Sequence, residues 1–318
     1  MYPLILSAPI KDYLWGGRRL IDEYKFTADG DIAAEAWLLS CHKDGTNIIK
    51  NGSLKGETLT NVIEMWGKKA LGANCDNFSY FPLLIKLIDA RDRLSLQVHP
   101  DDEYALRVEG EFGKTEMWYV VDCDEGAELI YGLTSEITKE EFEKRIADNT
   151  IEQFCNKVPV SKGDVFFISS GTLHAIGKGI LIAEVQQNSN STYRVSDYGR
   201  RGADGKLREL HIEKAVDVTL LNKPTLPYGK VGNITEFDNF TQRELSRCNL
   251  FSVDLIKLNG EAEFGREDSF VSVVVLNGEC SYSFGGEETI LKKGSSIFLP
   301  AGIKININGN AEILKSWV

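Results

Sequence analysis

Two of the four histidines in this 318-residue chain stand where a metal ion could use them. His99, in Gln97-Val98-His99-Pro100-Asp101-Asp102, closes an apolar run from Leu94 to Val98. Glu116 opens a second run, Met117 to Val121. His174 follows a third, Val165 to Ile168, behind a Ser169-Ser170-Gly171-Thr172 turn. Short apolar runs bounded by turn residues read as β-strands, so the three side chains are expected at strand ends, where they could converge across a sheet. Two imidazoles and a carboxylate make a zinc-type donor set with room for a substrate oxygen, although nitrogen and oxygen donors also accept manganese, iron or cobalt. A histidine after a strand is more often a hydrogen-bonded structural residue, and His42 and His211, outside any ligand pattern, are read that way.

The elements that must position these residues are mostly short strands. Asn51-Gly52, Asn259-Gly260, Asn277-Gly278, Gly285-Gly286 and Asn308-Gly309 lie between apolar or alternating stretches and read as hairpin signals. Their density points to a sandwich or jelly roll. Three packing helices are expected, over Thr58 to Ala70, Thr138 to Ala147 and Leu210 to Leu220, the second opening on a near capping box, Thr138-Lys139-Glu140-Glu141. One unit also recurs: Gly163 to His174 matches Gly294 to Ile305 in its glycines, strand and turn, with Ile305 in the place of His174. The repeat implies one copy able to bind a metal and one that is structural.

Composition narrows the function classes. Hydrophobic content of 42% and charged content of 26% are those of a soluble globular protein with ample core. No apolar run approaches the roughly 20 residues of a membrane span, and Met1-Tyr2-Pro3-Leu4-Ile5-Leu6 lacks a basic segment before its apolar stretch, so a cytoplasmic protein is expected. The six cysteines form no Cys-x-x-Cys pair, which argues for reduced thiols. A net charge of -11 with no long basic run argues against nucleic acid as a partner, while a few local cations can still govern a pocket for a small anion.

The spacing of the repeated unit is similar to a signature of the cupin superfamily, with Ser169 at the position usually held by proline. More specifically, Trp15-Gly16-Gly17, Glu35-Ala36-Trp37, Gln97-Val98-His99-Pro100, Gly113-Lys114-Thr115-Glu116, Gly171-Thr172-Leu173-His174-Ala175 and Gln186-Gln187-Asn188-Ser189 through Thr192-Tyr193-Arg194 occur in this order. Together they resemble the type I mannose-6-phosphate isomerase family in its short bacterial form. The resemblance implies a mostly β fold of two cupin-like jelly-roll sandwiches or barrels with a few helices. It implies a catalytic cupin domain with helical insertions over residues 1–240 and a degenerate, metal-free one over 241–318.

It further implies one zinc ion per chain, held by His99, Glu116 and His174 with Gln97 as a possible fourth ligand. The substrates would be mannose 6-phosphate and fructose 6-phosphate, interconverted through a cis-enediol, by a monomer or homodimer with no membrane or nucleic-acid partner. Arg194 falls at the family's catalytic arginine, and Lys86 and Ser95 fall where larger members contact the sugar phosphate. Lys114, two residues before Glu116, would share its side of a strand. The proton carrier is left between Lys114 and Glu184, with a salt bridge orienting Arg194 as the other reading of Glu184. Arg200-Arg201 could assist with phosphate or lie in a solvated loop. Ala34, for the usual glycine, and Ser169, for proline, leave the local turns in question. A metal-dependent bicupin oxygenase and a non-catalytic sugar-binding cupin are the competing readings.

Overall fold

The computed structural model describes residues 1–202 and 205–318. Residues 10–196 build two facing sheets. One has six strands in the order Val165–Ile168, Glu116–Cys123, Ile180–Gln187, Leu83–Ala90, Glu35–Leu39 and Ile10–Lys11. The other has five: Cys155–Pro159, Glu128–Leu133, His174–Ala175, Leu96–Val98 and Tyr193–Ser196. A nine-stranded sheet contains the chain from Ile234 to Trp317 and also the early strands Leu4–Ser7 and Ile48–Ile49. Leu4 pairs with Phe298 and Leu6 with Ile49, so a sheet made mainly of the last third of the chain is joined to its beginning.

Strand alternation divides the labour within the six-stranded sheet. Leu83, Ile85 and Leu87, with Met117, Tyr119, Val121, Leu181, Ala183 and Val185, point to one side and pack with Val274, Phe298 and Leu314 of the nine-stranded sheet and with Phe251 and Phe270, which immediately precede two of its strands. The intervening residues point the other way: Ile88, Trp118, Val120, Ile180 and Ile182 meet Leu129, Tyr131 and Ile176 in a second core. Lys86, Glu116 and Glu184 belong to that second parity. On the five-stranded sheet, Leu96, Val98, Ala175, Tyr193 and Val195 pack outward under the helices Lys139–Ala147 and Ile212–Val218. Gln97, His174 and Arg194 therefore face inward.

The expected helices form, each shorter than the sequence pattern. Thr58 and Thr138 cap Leu59–Trp66 and Lys139–Ala147 by accepting from the amides of Asn61 and Glu141, and Gly67, at φ +68°, ends the first. Asp102–Val108, which the sequence pattern does not announce, is capped by Asp101. The hairpin reading needs correction at four of its five sites. Asn259-Gly260, Asn277-Gly278 and Asn308-Gly309 lie inside the strands Ser252–Gly265, Val271–Phe284 and Lys304–Trp317, where Gly260 pairs with Gly309. Glycine there lets long strands bend past one another: a Cβ on Gly309 would come within 2.6 Å of Cys280 Cα. Asn51-Gly52 opens a short 3-10 turn, and only Gly285-Gly286 closes a hairpin.

The internal repeat is present atom by atom. Gly163 and Gly294 have φ of +87° and +88°, and their amides donate to Val120 and Val275. The turns close identically, Thr172 N to Ser169 O and Ile303 N to Pro300 O, both at 3.0 Å. Ile168 pairs with Glu116 and Leu299 with Val271, so Val271 holds the position of Glu116 as Ile305 holds that of His174. Both are buried in the nine-stranded sheet's own core. The Ser169 turn thus keeps the geometry of the Pro300 turn, with Gly171 at φ +83° doing the bending.

Phe298 bridges the two halves, stacking on Phe270 and tilted against Phe81 with centroids 5.3 and 6.2 Å away. Phe298→Ala is expected to cost about 3–5 kcal/mol. Urea unfolding followed by tryptophan fluorescence and far-ultraviolet circular dichroism should give coincident transitions, both shifted together, because the core is shared.

Candidate metal centre and adjoining pocket

His99, Glu116 and His174 meet between the two sheets, fully buried, with donor atoms all within 4.8 Å of one another. Gln97 pairs with His174 across the five-stranded sheet, and Gly171 N donates to His99 O at 2.8 Å, tying the two histidine-bearing segments together. His99 Nδ1 is bonded to Ser191 O at 2.9 Å and His174 Nδ1 to Thr172 O at 2.7 Å. A backbone carbonyl can only accept, so each Nδ1 carries the proton and each Nε2 turns a lone pair to the centre. Those Nε2 atoms are 3.1 Å apart. Glu116 Oε1 lies 3.4 Å from His174 Nε2, and Oε2 lies 3.7 Å from His99 Nε2.

Such a group is poorly satisfied without a cation. Burial, aided by Lys114, holds His99 well below its ordinary pKa, and burial lowers His174 to about 4, so both rings are neutral donors. Burial and then the charge of Glu184 push Glu116 upward; its Oε2 lies 3.0 Å from Lys114 Nζ, and its Oε1 has no hydrogen-bond partner. Two inward lone pairs and a carboxylate with one unpartnered oxygen fit a divalent ion. Gln97 stands at the edge of this group: its Nε2 approaches His174 Nε2 at 3.4 Å, while its Oε1 accepts from Ser95 Oγ at 3.2 Å. As placed, its oxygen is turned away from the centre.

A cavity of about 280 Å³ opens beside the three residues, lined by Lys86, Lys114, Glu184, Glu35, Trp118, Ser95, Arg194 and Arg208 among others. Lys114 Nζ lies 3.0 Å from Glu116 Oε2, 3.3 Å from His99 Nε2 and 4.0 Å from Glu184 Oε1. Glu184 is cross-strand to both Lys86 and Trp118. Its Oε1 lies 3.1 Å from Lys86 Nζ, and its Oε2 accepts from Trp118 Nε1 at 2.8 Å. Burial alone would raise the Glu184 pKa, but Lys114 and Lys86 outweigh it and keep the carboxylate ionised. The expectation of Glu184 orienting Arg194 therefore gives way to a contact with two lysines. Arg194 instead donates to Glu209 O at 2.6 Å.

Other residues singled out in the sequence lie elsewhere. His42 and His211 stand away from the centre, His42 near Glu111 and Asp44 and His211 accepting from Arg194 N. Arg200 turns to Asp197 and Arg93 O, Arg201 is exposed, and neither lines the cavity. Ala34 is accommodated because Gly16 lies against it: a Cβ on Gly16 would meet Ala34 Cβ at 2.6 Å. Sequence reasoning missed Glu35, Trp118 and Arg208 as pocket residues. For Glu35 the available signal is its spacing of two from Trp37, whose Nε1 donates to it at 2.7 Å. Arg208 offers no local signal, since the turn carrying it is placed by Asp197. All six cysteines are free thiols.

Paired jelly-roll sheets with a histidine-glutamate centre at the end of a charged pocket define a cupin with a candidate metal site. Comparison with known proteins makes this specific. The family described as phosphomannose isomerase type I, catalytic domain, matches residues 4–159, and the mannose-6-phosphate isomerase cupin domain matches 241–318. A mannose-6-phosphate isomerase of Streptococcus mutans is 39% identical over 99% of this chain and 98% of its own length. One from Bacillus subtilis is 38% identical over the same shares. A crystal structure of mannose 6-phosphate isomerase from Bacillus subtilis superposes with a TM-score of 0.92 at 35% identity, each chain fully covered. The chain belongs to the type I mannose-6-phosphate isomerase family, whose members are metal-dependent aldose-ketose isomerases. The oxygenase and passive-binder readings have no support among these relatives. Among the described residues no helix is long and apolar enough to cross a membrane.

Glu184→Gln should test the pocket's charge balance. It removes the carboxylate shared by two buried ammonium groups, and breaking such a pair costs about 3–5 kcal/mol. Thermal denaturation should show that loss, whereas the isosteric exchange would be nearly silent at an exposed site.

Proposed function

We propose that this pocket interconverts mannose 6-phosphate and fructose 6-phosphate in their open-chain forms, using one divalent ion, zinc in the first instance, held by His99, Glu116 and His174. The observation that carries the reading is the pair of Nε2 lone pairs facing each other at 3.1 Å beside the Glu116 carboxylate, whose Oε1 has no hydrogen-bond partner. Gln97 joins as a fourth ligand if its amide turns over. Bound there, the ion supplies Lewis-acid stabilisation to the oxygens on C1 and C2.

The chain's own residues handle the proton and the substrate. Isomerisation moves a proton between C2 and C1 through a cis-enediol and needs a group that can take it from one carbon and return it to the next. Lys114 is that group in this reading: it is the basic side chain nearest the centre, it would take the proton as the neutral amine and return it as the ammonium so formed, and Glu184 on its far side remains an anion that balances that charge. Lys86 and Ser95 line the path of the sugar hydroxyls, and Arg194 presents a fixed fork of donors to the negative charge that the substrate carries. Residues 1–240 form the catalytic unit and 241–318 its metal-free counterpart, with Leu4–Ser7 and Ile234–Glu236 crossing into the latter's sheet. The setting is the cytoplasm, and the working form a monomer or homodimer.

A coupled assay on mannose 6-phosphate should show turnover that disappears on chelation and returns with zinc. His99→Ala should lose both metal and activity. Lys114→Gln should retain the metal, by elemental analysis, while kcat falls about 10²–10⁴-fold. Purified, metal-loaded protein inert on both sugar phosphates would overturn the proposal.

A further inference from the structure

We infer that Arg194 and Arg208 together hold the phosphate of the substrate at the outer end of the pocket, with Asp197 as the positioning residue for Arg208. The inference rests on the isomerase reading above and names an end of the pocket that this reading leaves open. The cavity is electrostatically two-ended. At the inner end each cation is already matched: Lys86 Nζ lies 3.1 Å from Glu184 and 3.8 Å from Glu35, and Lys114 lies 3.0 Å from Glu116. A phosphate dianion brought there would face three buried carboxylates at close range and would have to displace their partners.

The outer end is the reverse. Arg194 has no carboxylate partner among the described residues. Its one side-chain hydrogen bond goes to a backbone carbonyl, and its buried Nε has no partner. Arg208 reaches Asp197 at 3.2 Å, but the same carboxylate also takes Arg200 at 2.5 Å. Three guanidinium groups against one buried carboxylate leave an uncompensated positive region in a chain of net charge -11. Burial and then the like charge of Arg208 lower the Arg194 pKa, so the two guanidinium groups are close enough to repel, a cost that an anion between them would relieve.

Distance agrees with charge. Gln97 is paired on one side with His174 and on the other with Arg194. Arg194 therefore begins two strand spacings, roughly 10 Å, from His174 along the sheet. That separation suits an open-chain hexose with C1 and C2 at the histidine end and its phosphate at the arginine end. Asn190, Thr192 and Tyr13 also line the cavity.

The test measures binding apart from turnover. Calorimetric titration of zinc-loaded protein with mannitol 6-phosphate, which cannot isomerise, is compared with mannitol for wild type, Arg208→Gln, Arg208→Lys and Asp197→Asn. Arg208→Gln should weaken mannitol 6-phosphate about tenfold or more, with Arg208→Lys recovering part of the loss. Asp197→Asn should fall between them. In steady-state kinetics the Arg208→Gln loss should appear in KM for mannose 6-phosphate, with kcat within about threefold and metal content unchanged. Unchanged affinity in both Arg208 variants, with wild type still turning over mannose 6-phosphate, would overturn this inference and leave the isomerase reading intact. Equal weakening of mannitol and mannitol 6-phosphate would overturn it as well. Arg208-dependent binding in a wild type that turns over neither sugar phosphate would support the phosphate site and sink the isomerase reading.

Discussion

Five charged side chains buried in one pocket, Lys86, Lys114, Glu35, Glu116 and Glu184, set the terms for the rest of the molecule. Charges removed from water are tolerable only when each is paired at fixed short distance, because the desolvation cost is several kcal/mol per ion. The pocket meets that condition by cross-strand register. Glu184 stands opposite both Lys86 and Trp118, so its two oxygens are served by neighbouring strands of one sheet. Formally, three carboxylates against two ammonium groups leave one negative charge beside two neutral imidazoles. A site of that sign draws a divalent cation, and with the cation in place its balance turns positive, which suits an anion developing on the substrate.

Holding those distances requires a sheet that cannot flex, and the reverse face supplies the stiffness. Every second residue of the same strands enters an apolar core shared with the nine-stranded sheet. The last third of the chain therefore contributes no side chain to the cavity and still bears on its geometry. Leu4–Ser7, inserted between Ser296–Leu299 and Ile48–Ile49, makes the arrangement hard to separate into independent halves. A side-chain shift at Ile85 or Val185 would reach Lys86 or Glu184 only through the backbone, and packing on both faces resists that movement.

Much of this was legible in the residues. The strands next to His99 and at Glu116 were readable as short apolar runs with a turn nearby, whereas the two-residue strand of His174, in the opposite sheet from Val165–Ile168, and the register that sets Lys86 beside Glu184 come from long-range pairing. The repeat was readable because its glycines need a positive φ that other residues resist. What escaped has a common physical origin in long-range pairing. Asn259-Gly260 and Asn308-Gly309 look like turns locally and become mid-strand partners only because two distant strands meet there. Arg208 approaches the pocket because Asp197, eleven residues earlier in the chain, captures it. No spacing rule encodes that contact. Ala34 looked like a defect and is matched by Gly16, whose missing side chain leaves the space.

The second copy of the strand-turn unit separates scaffold from chemistry. Its backbone repeats the first through the same glycines, the same turn hydrogen bond and the same strand register, yet Val271 and Ile305 fill the places of Glu116 and His174. Aliphatic residues there pack into an ordinary core, which costs nothing in desolvation. Replacing buried charged or polar groups by well-packed apolar ones is commonly neutral or stabilising. The fold therefore has no structural need for a carboxylate at Glu116 or an imidazole at His174. A site that the same backbone also builds without ligands is explained by the reaction it serves, in which the half-satisfied centre becomes complete when metal and sugar phosphate are bound.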